Sequence, residues 1–162
     1  MDIKPVRIIW HHSADSSTAH QFVKINAYHK TRDFPLSSMN FYVGYHYLVE
    51  QDGTVMQARK ENEIGAHDTG ENLNSIGICL AGNFDVQWPS EAQRASVCQL
   101  LGQVRKRWNI PINRIEPHRW DDDTDCPGRL LEDNWLIDEY LKREESAAVK
   151  VFQWIGKTYK LL

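Results

Sequence analysis

Apolar residues along this chain are grouped in short runs whose spacing predicts strands. Residues 6–10 and 44–50 are rich in β-branched and aromatic side chains, as strands are. An Asp-Gly pair follows the second run and predicts a hairpin turn into a returning strand at residues 54–57. Residues 74–81 are almost continuously apolar, which is typical of a strand buried on both faces of a sheet.

Helices are predicted where apolar residues recur at helical spacing. The segments with this spacing are residues 18–31, 90–108, 130–141 and 147–162. The second segment opens on Ser90, and the later Gln93 gives it the form of a capping box. Strands interspersed with helices, with one tight hairpin, predict an α/β fold in which a single domain has a central mixed β-sheet flanked by helices.

Length and composition narrow the classes of function. A chain of 162 residues fits one domain, which buries roughly 70% of the surface that the unfolded chain exposes. The net charge of −3 argues against a nucleic-acid partner, because nucleic-acid binders present a basic face. The odd set Cys79, Cys98 and Cys126 does not predict a disulfide framework. The first two lie in apolar patterns, so we expect them to be buried hydrophobic residues, whereas Cys126 lies in a loop.

The N-terminal residues show no apolar signal-peptide core, and no apolar run approaches transmembrane length. We therefore expect the protein to be synthesised in the cytoplasm in soluble form. We place the main domain at residues 1–145 and a C-terminal tail at residues 146–162.

The tail can be drawn as an amphipathic helix. It carries Lys150, Lys157 and Lys160 and no acidic residue, a pattern that fits an interfacial helix drawn to anionic lipid. Apolar helical stripes more often face a core, however. We therefore favour a tail that docks on the main domain as an extra helix over a tail that contacts a membrane.

One loop concentrates metal-binding chemistry. His118 and Cys126 lie within residues 116–128, where two prolines and four aspartates disfavour a helix or a central strand. A neutral imidazole and a thiolate are good zinc ligands, but a site needs a third ligand, and both residues also fit an incidental placement. His11 and His12 end the first strand and face opposite sides of it, and alternation alone leaves open which one faces the loop.

Other residues have competing interpretations. His20 and His29, in the first predicted helix, are expected at the surface or the edge of the core rather than as ligands. Tyr45 lies in a predicted strand, where tyrosines commonly pack at sheet edges. Phe41 belongs to an irregular apolar stretch that either tucks under the domain or lines a binding groove.

Four sequence motifs follow one another along residues 6–141. They are Ile9-Trp10-His11-His12-Ser13-Ala14, Gly44-Tyr45-His46, Ala66-His67-x-x-Gly70-x-Asn72-x-x-Ser75-Ile76-Gly77-Ile78 and His118-x7-Cys126-Pro127-Gly128. Each motif alone is a weak signal, but the ordered set is specific. Together they resemble the zinc N-acetylmuramoyl-L-alanine amidases of the phage-lysozyme and peptidoglycan-recognition-protein type.

The resemblance implies one catalytic zinc ion bound by His11, His118 and Cys126. Three protein ligands leave a fourth tetrahedral position for water, which is the pattern of catalytic rather than structural zinc. The resemblance also implies catalytic roles for Tyr45 and Thr124, as donors to the attacking water or to the oxyanion.

Three further residues are expected to bind substrate by the same resemblance, namely His67, Asn72 and Phe41. The alternative for His67 is a simple place in a surface loop. His12 is left as a neighbour of the metal site that points elsewhere.

The function implied by the resemblance is hydrolysis of the amide bond between N-acetylmuramic acid and L-alanine in peptidoglycan. We expect a monomer of the phage-endolysin type, which acts on the cell wall after release from an infected host. The alternatives are a non-catalytic peptidoglycan-binding module and a cytosolic muropeptide-recycling amidase. The first usually lacks the cysteine and the second typically has aspartate there, so Cys126 favours the phage-type enzyme. Nothing in the sequence supports a third alternative, a regulator that binds a polymerase.

Overall fold

The computed structural model describes residues 2–158, with side-chain surroundings for residues 2–150. Its strands are β1 Arg7–His12, β2 Tyr47–Val49, β3 Val55–Gln57, β4 Ser75–Leu80 and β5 Ile115–Pro117. They form one sheet in the order β3-β2-β4-β1-β5, in which β3 alone is antiparallel to its neighbour. The predicted central mixed sheet is therefore confirmed.

The centre of the sheet is a parallel pair of fully buried strands. All residues of β1 and β4 are buried, and their register runs from Arg7 beside Ser75 to His12 beside Leu80. Such burial on both faces requires helices on both sides, which explains the nearly continuous apolar run of β4. Because β1 and β5 are also parallel, their carboxyl ends lie at the same edge of the sheet.

The sheet separates two apolar clusters. The helices are α1 Gln21–Thr31, α2 Glu91–Trp108 and α3 Trp135–Thr158. Side chains of α2 and α3 pack with Trp10 and Ile78 in the larger cluster. Phe22 of α1 packs with Leu48 and Cys79 in the smaller cluster. Adjacent strand residues point to opposite faces, so α1 covers one face of the sheet while α2 and α3 cover the other.

Helix α2 starts where the sequence predicted, but only one of the two hydrogen bonds of the predicted capping box is formed. The Ser90 hydroxyl accepts a hydrogen bond from the Gln93 amide at 3.0 Å, as in a capping box. The side chain of Gln93 does not return to Ser90. It is fully buried and donates to the carbonyls of Val49 and Ala81, at 2.8 and 2.9 Å. Tertiary contact has therefore replaced the second bond of the capping box.

Two predicted helix boundaries were wrong. Helix α1 begins at Gln21 rather than residue 18, because His20 has a left-handed backbone with φ of 59°. Helix α3 begins at Trp135 rather than residue 130.

The helices predicted at residues 130–141 and 147–162 are also not separate elements, since α3 continues without a break to Thr158. The boundary proposed at residue 145 falls inside α3. Residues 144–150 are exposed, and residues 159–162 of the predicted tail lie outside the described part of the chain. Of the helices described, none has the length and apolar character needed to cross a bilayer.

Candidate metal centre

The end of β1 presents two histidines to opposite faces of the sheet. His11 is level with Cys79 in the neighbouring strand and is only 1% exposed. It therefore lies on the face covered by α1, where its ring is 5.0 Å from the ring of Tyr45. His12 lies on the other face, where its Nδ1 accepts a hydrogen bond from the Phe84 amide at 3.2 Å. The choice that strand alternation left open thus falls on His11.

The loop after β5 returns to the end of β1. It opens with a short 3-10 turn, His118–Trp120, directly after the strand. The Arg119 amide donates to the Cys126 carbonyl at 2.9 Å, and the His12 amide points at the Cys126 sulfur at 3.4 Å. The Thr124 hydroxyl accepts from the Cys126 amide at 3.2 Å. These bonds fix both ends of the loop, so His118 and Cys126 face the same point.

Three predicted metal ligands come together at this point. The donor atoms of His11, His118 and Cys126 all lie within 4.8 Å of one another. His11 Nδ1 is 3.8 Å from the Cys126 sulfur, and the rings of His11 and His118 are 4.5 Å apart. Two imidazoles and a thiol on the rim of a groove are a donor set suited to a single divalent cation.

In each of the candidate ligands His11 and His118, one ring nitrogen contacts a side chain outside the donor set. His11 Nε2 lies 3.1 Å from His67 Nδ1, which leaves His11 Nδ1 towards the cysteine. His118 Nε2 lies 3.1 Å from a carboxylate oxygen of Asp122, whereas His118 Nδ1 is buried and has no hydrogen-bond partner among the described residues. Metal-binding histidines commonly use the second nitrogen in this way, to fix the ring and its tautomer.

The protonation states of the donors follow from burial. Burial lowers the pKa of His11 well below its ordinary value, and the neighbouring His67 and His118 lower that pKa further. Burial raises the pKa of the Cys126 thiol to about 12, although the His12 amide acts in the opposite direction. His11 is therefore neutral and ready to bind a metal, while the thiol must release its proton when a metal binds.

Tyr45 and Thr124 both lie beside the candidate metal donors, Tyr45 through ring packing and Thr124 through a hydrogen bond. Tyr45 is half-buried against the smaller apolar cluster, and burial raises the pKa of its hydroxyl well above its ordinary value. It is therefore a neutral hydroxyl next to His11. The Thr124 oxygen accepts from the Cys126 amide, so Thr124 also shapes the ligand loop.

A groove of about 340 Å³ opens next to the metal ligands. His67 and Asn72 line it, as does the ligand His118. Asn72 also positions His67, because its side-chain oxygen accepts from the His67 amide at 2.8 Å. Phe41 lies elsewhere: it packs against Phe22 with ring centroids 4.9 Å apart, in the smaller apolar cluster.

Two charged residues near the centre were missed from the sequence. Arg7, at the start of β1, is 6% exposed and pairs with Glu71, Glu116 and Asp121. Its ion pairs connect the loop of residues 116–128, which carries His118 and Cys126, to β1 and to the segment around Glu71. Asp68, in the loop of residues 65–70, is 3% exposed and lines the groove. Arginine in an otherwise apolar strand was a usable signal, whereas nothing in the local sequence marks Asp68.

Known proteins share this arrangement of sequence and fold. Residues 2–129 match the profile of the N-acetylmuramoyl-L-alanine amidase family. The chain belongs to this family. Peptidoglycan-recognition protein SC2 of Drosophila melanogaster is 31% identical over 120 residues, which are 73% of this chain and 65% of the relative. The endolysin of Escherichia phage T7 is 51% identical over 43 residues, which are 26% of this chain and 28% of the relative.

A solved structure of an N-acetylmuramoyl-L-alanine amidase supports the same relationship. The amidase LysC from Clostridium intestinale URNW has a TM-score of 0.68 and 31% identity, and the match covers 78% of this chain and 78% of that chain. This amidase-family chain thus spans most of one solved relative, but less than two thirds of the two sequence relatives.

A divalent metal fits the donors of this amidase-family chain. His118 Nδ1 is a buried polar atom without a partner among the described residues, and it belongs to the set that includes His11 and Cys126. A buried nitrogen left unpaired is unfavourable unless a ligand satisfies it. Mixed nitrogen and sulfur donors favour zinc over magnesium or calcium.

Proposed function

We propose that this chain hydrolyses the amide bond between N-acetylmuramic acid and L-alanine in peptidoglycan, with one zinc ion bound by His11, His118 and Cys126. The convergence of these three donors within 4.8 Å, in a member of the amidase family, is the observation that carries the proposal. Three protein donors leave room for water or substrate at the metal, as catalytic sites do.

Zinc, when bound, polarises a carbonyl group and makes water acidic enough to lose a proton near pH 7. The residues of the chain supply the remaining functions. The hydroxyl of Tyr45 stays protonated because burial raises its pKa, so it can donate to an oxygen that becomes negative. Its place beside His11, with rings 5.0 Å apart, puts this donor next to the metal ligands.

Thr124 is proposed as the second donor. Its oxygen already accepts a hydrogen bond from the Cys126 amide. Its own hydroxyl proton is a separate donor and can be directed to the substrate, since a hydroxyl both accepts and donates. Thr124 therefore combines a structural bond to the ligand loop with a catalytic bond to the substrate.

The groove beside the ligands is the proposed binding site for the peptide side of the substrate. His67 and Asn72 line it and reach polar groups of a bound peptide. We propose that Phe41 contributes only through the part of its ring that remains accessible, because it packs against Phe22. This assignment makes His67 and Asn72 the stronger determinants of binding.

An endolysin role is proposed from the phage relative. Over 43 residues the chain is 51% identical to the T7 endolysin, and all three donors of the proposed zinc site are present. We propose a monomer made in the cytoplasm that acts on the cell wall after release. Membrane contact through residues 146–162 is not needed for the chemistry, because every residue of the proposed site precedes them.

The decisive experiment is digestion of purified peptidoglycan, followed by mass spectrometry of the new termini. An amidase produces free N-terminal L-alanine and leaves the glycan strands intact. The matched control is Cys126→Ser, which replaces the thiol by a hydroxyl that binds zinc far more weakly. New reducing ends instead of new amino termini contradict the proposed bond. Binding to peptidoglycan without any new termini indicates a binding module.

A further inference from the structure

Asp68 is a buried carboxylate without a hydrogen-bond partner. Its side chain is 0% exposed, and neither of its oxygens accepts a hydrogen bond from any described residue. Its backbone is nevertheless fixed, since the Asp68 amide donates to Asn72 at 3.2 Å and its carbonyl accepts from the Glu71 amide at 3.3 Å. A buried carboxyl group without a hydrogen-bond partner is unfavourable, so this arrangement calls for a compensating function.

The group nearest to this carboxylate is a ligand of the proposed zinc site. One oxygen of Asp68 lies 3.9 Å from His118 Nε2, and an oxygen of Asp122 lies 3.1 Å from the same nitrogen. The other nitrogen, His118 Nδ1, is buried and has no partner among the described residues. Two carboxylates therefore approach one nitrogen of His118 and leave the other to a metal.

The Arg7 guanidinium is engaged by carboxylates other than Asp68. Arg7 forms ion pairs with Glu71, Glu116 and Asp121. Within the described part of the chain, His118 is the one basic side chain with a nitrogen within 4.0 Å of an Asp68 oxygen. Among the described residues, no arginine or lysine therefore forms an ion pair with Asp68.

We propose that Asp68 is a positioning residue which, with Asp122, holds the His118 ring proton on Nε2 and thereby increases the affinity of Nδ1 for zinc. This inference rests on the proposed zinc site. A metal on one nitrogen makes the N–H of the other a stronger donor, so the buried carboxylate gains a better partner when zinc is bound. Asp68 thus destabilises the metal-free fold and stabilises the metal-bound fold.

Asp68 and Asp122 differ in exposure, and this difference determines how strongly each carboxylate interacts with His118. The Asp122 side chain is 47% exposed, whereas that of Asp68 is 0% exposed. Water screens the exposed carboxylate, and the low polarity around the buried one strengthens its interaction with His118. The shorter distance favours a stronger interaction of His118 with Asp122, but burial favours a stronger interaction with Asp68. We expect the effect of burial to be the larger one.

The test uses Asp68→Asn and Asp122→Asn, with Asp123→Asn as a matched control on the exposed part of the same loop. The zinc dissociation constant is measured by competition with a chromogenic chelator, and melting temperatures are measured with and without zinc. Asp68→Asn is expected to weaken zinc binding by about 10–100-fold. It is also expected to raise the melting temperature of the metal-free protein and to reduce the increase caused by zinc.

The other variants and a second measurement complete the test. Asp122→Asn is expected to weaken zinc binding less than Asp68→Asn, and Asp123→Asn to leave it unchanged. In ¹⁵N spectra of the metal-free protein, the Nε2–H form of His118 is expected to lose population in Asp68→Asn.

Three results overturn the inference. Unchanged zinc affinity in Asp68→Asn means that Asp68 does not act on the metal site, even if wild type binds zinc and cleaves peptidoglycan. A lower melting temperature without zinc, with unchanged zinc affinity, makes Asp68 an ordinary structural residue. Failure of the wild type itself to bind zinc overturns both this inference and the proposed zinc site, so the two failures are distinguishable.

Discussion

His46 and His118 are both enclosed by the protein, but the two regions use their ring nitrogens differently. Beneath the sheet edge, His46 is 0% exposed, accepts from the Gly77 amide at 3.0 Å and donates to the Glu63 carbonyl at 2.8 Å. At the metal centre, His118 has one nitrogen near Asp122 and the other unpartnered among the described residues. Both ring nitrogens of His46 are hydrogen-bonded, whereas one ring nitrogen of His118 has no partner among the described residues.

This difference distinguishes a histidine with a structural role from a candidate metal ligand. A buried polar group that is fully bonded connects parts of the fold, as His46 joins β4 to the loop around Glu63. A buried polar group without a hydrogen-bond partner is tolerated where a bound ligand can supply the missing partner. His29 belongs with His46, since it accepts from the Gly44 amide at 3.0 Å and stacks on Phe34 at the edge of the core. The position expected for His29 is confirmed.

The largest effect is expected from replacing the adjacent His11 and His12 separately. His11→Gln should remove most zinc binding and activity, a larger loss than the about 10–100-fold typical of outer-shell changes. His12→Gln should keep zinc, because glutamine can still accept from the Phe84 amide that His12 now binds. Elemental analysis and peptidoglycan digestion measure both. Zinc lost with His12 but retained without His11 reverses the assignment.

The next largest effect is expected from the Tyr45 hydroxyl. Tyr45→Phe keeps the ring that packs on the smaller apolar cluster and removes only the proposed donor. Loss of one such donor typically lowers the rate by about 10²–10³-fold. We expect that loss in kcat with normal zinc content and an unchanged melting temperature. Wild-type turnover in this variant would assign Tyr45 to packing alone.

The burial of His46 leads to a prediction about stability at acidic pH. Burial lowers the pKa of His46 to about 4 in the folded protein, below its ordinary value of 6.5. The unfolded chain therefore binds more protons as the pH falls, so His46 stabilises the fold fully above about pH 6.5 and loses this contribution towards pH 4. At pH 5 the loss is about 2 kcal/mol in the free energy of unfolding.

Urea unfolding of wild type and His46→Gln at pH 7.5 and pH 5 checks this sign. Glutamine does not titrate, so the variant should lose less stability between the two pH values than wild type does. Equal losses in the two proteins would show that His46 is not the group responsible.

The smallest effect is expected from deleting residues 146–162. Helix α3 is anchored near its start, where Leu136 is fully buried, whereas residues 144–150 are exposed. The truncated protein should stay folded and cleave purified peptidoglycan at the wild-type rate. Loss of binding to anionic vesicles, with cleavage unchanged, would support membrane contact by the tail. A melting temperature lowered by many degrees would instead support docking of the tail on the domain.

Features of this protein that depend on local patterns could be predicted from the sequence. Runs of β-branched residues located β1 and β4, and the position of Ser90 located the start of α2. The ordered motifs determined the family and singled out His118 and Cys126. These features are readable because periodicity, caps and motifs depend on residues close together in the chain.

Which polar groups meet depends on long-range contacts that local sequence patterns do not reveal. The choice between His11 and His12 depended on which face of the sheet carries α1, and His11 meets Cys126 across 115 positions. The carboxylate of Asp68 lies 3.9 Å from His118 Nε2, which belongs to a loop distant in the sequence. Gln93 does not form the second capping bond, because its side chain donates instead to the carbonyls of Val49 in β2 and of Ala81 just after β4. Whether a buried polar group is satisfied depends on partners that folding brings near, and no local pattern encodes those partners.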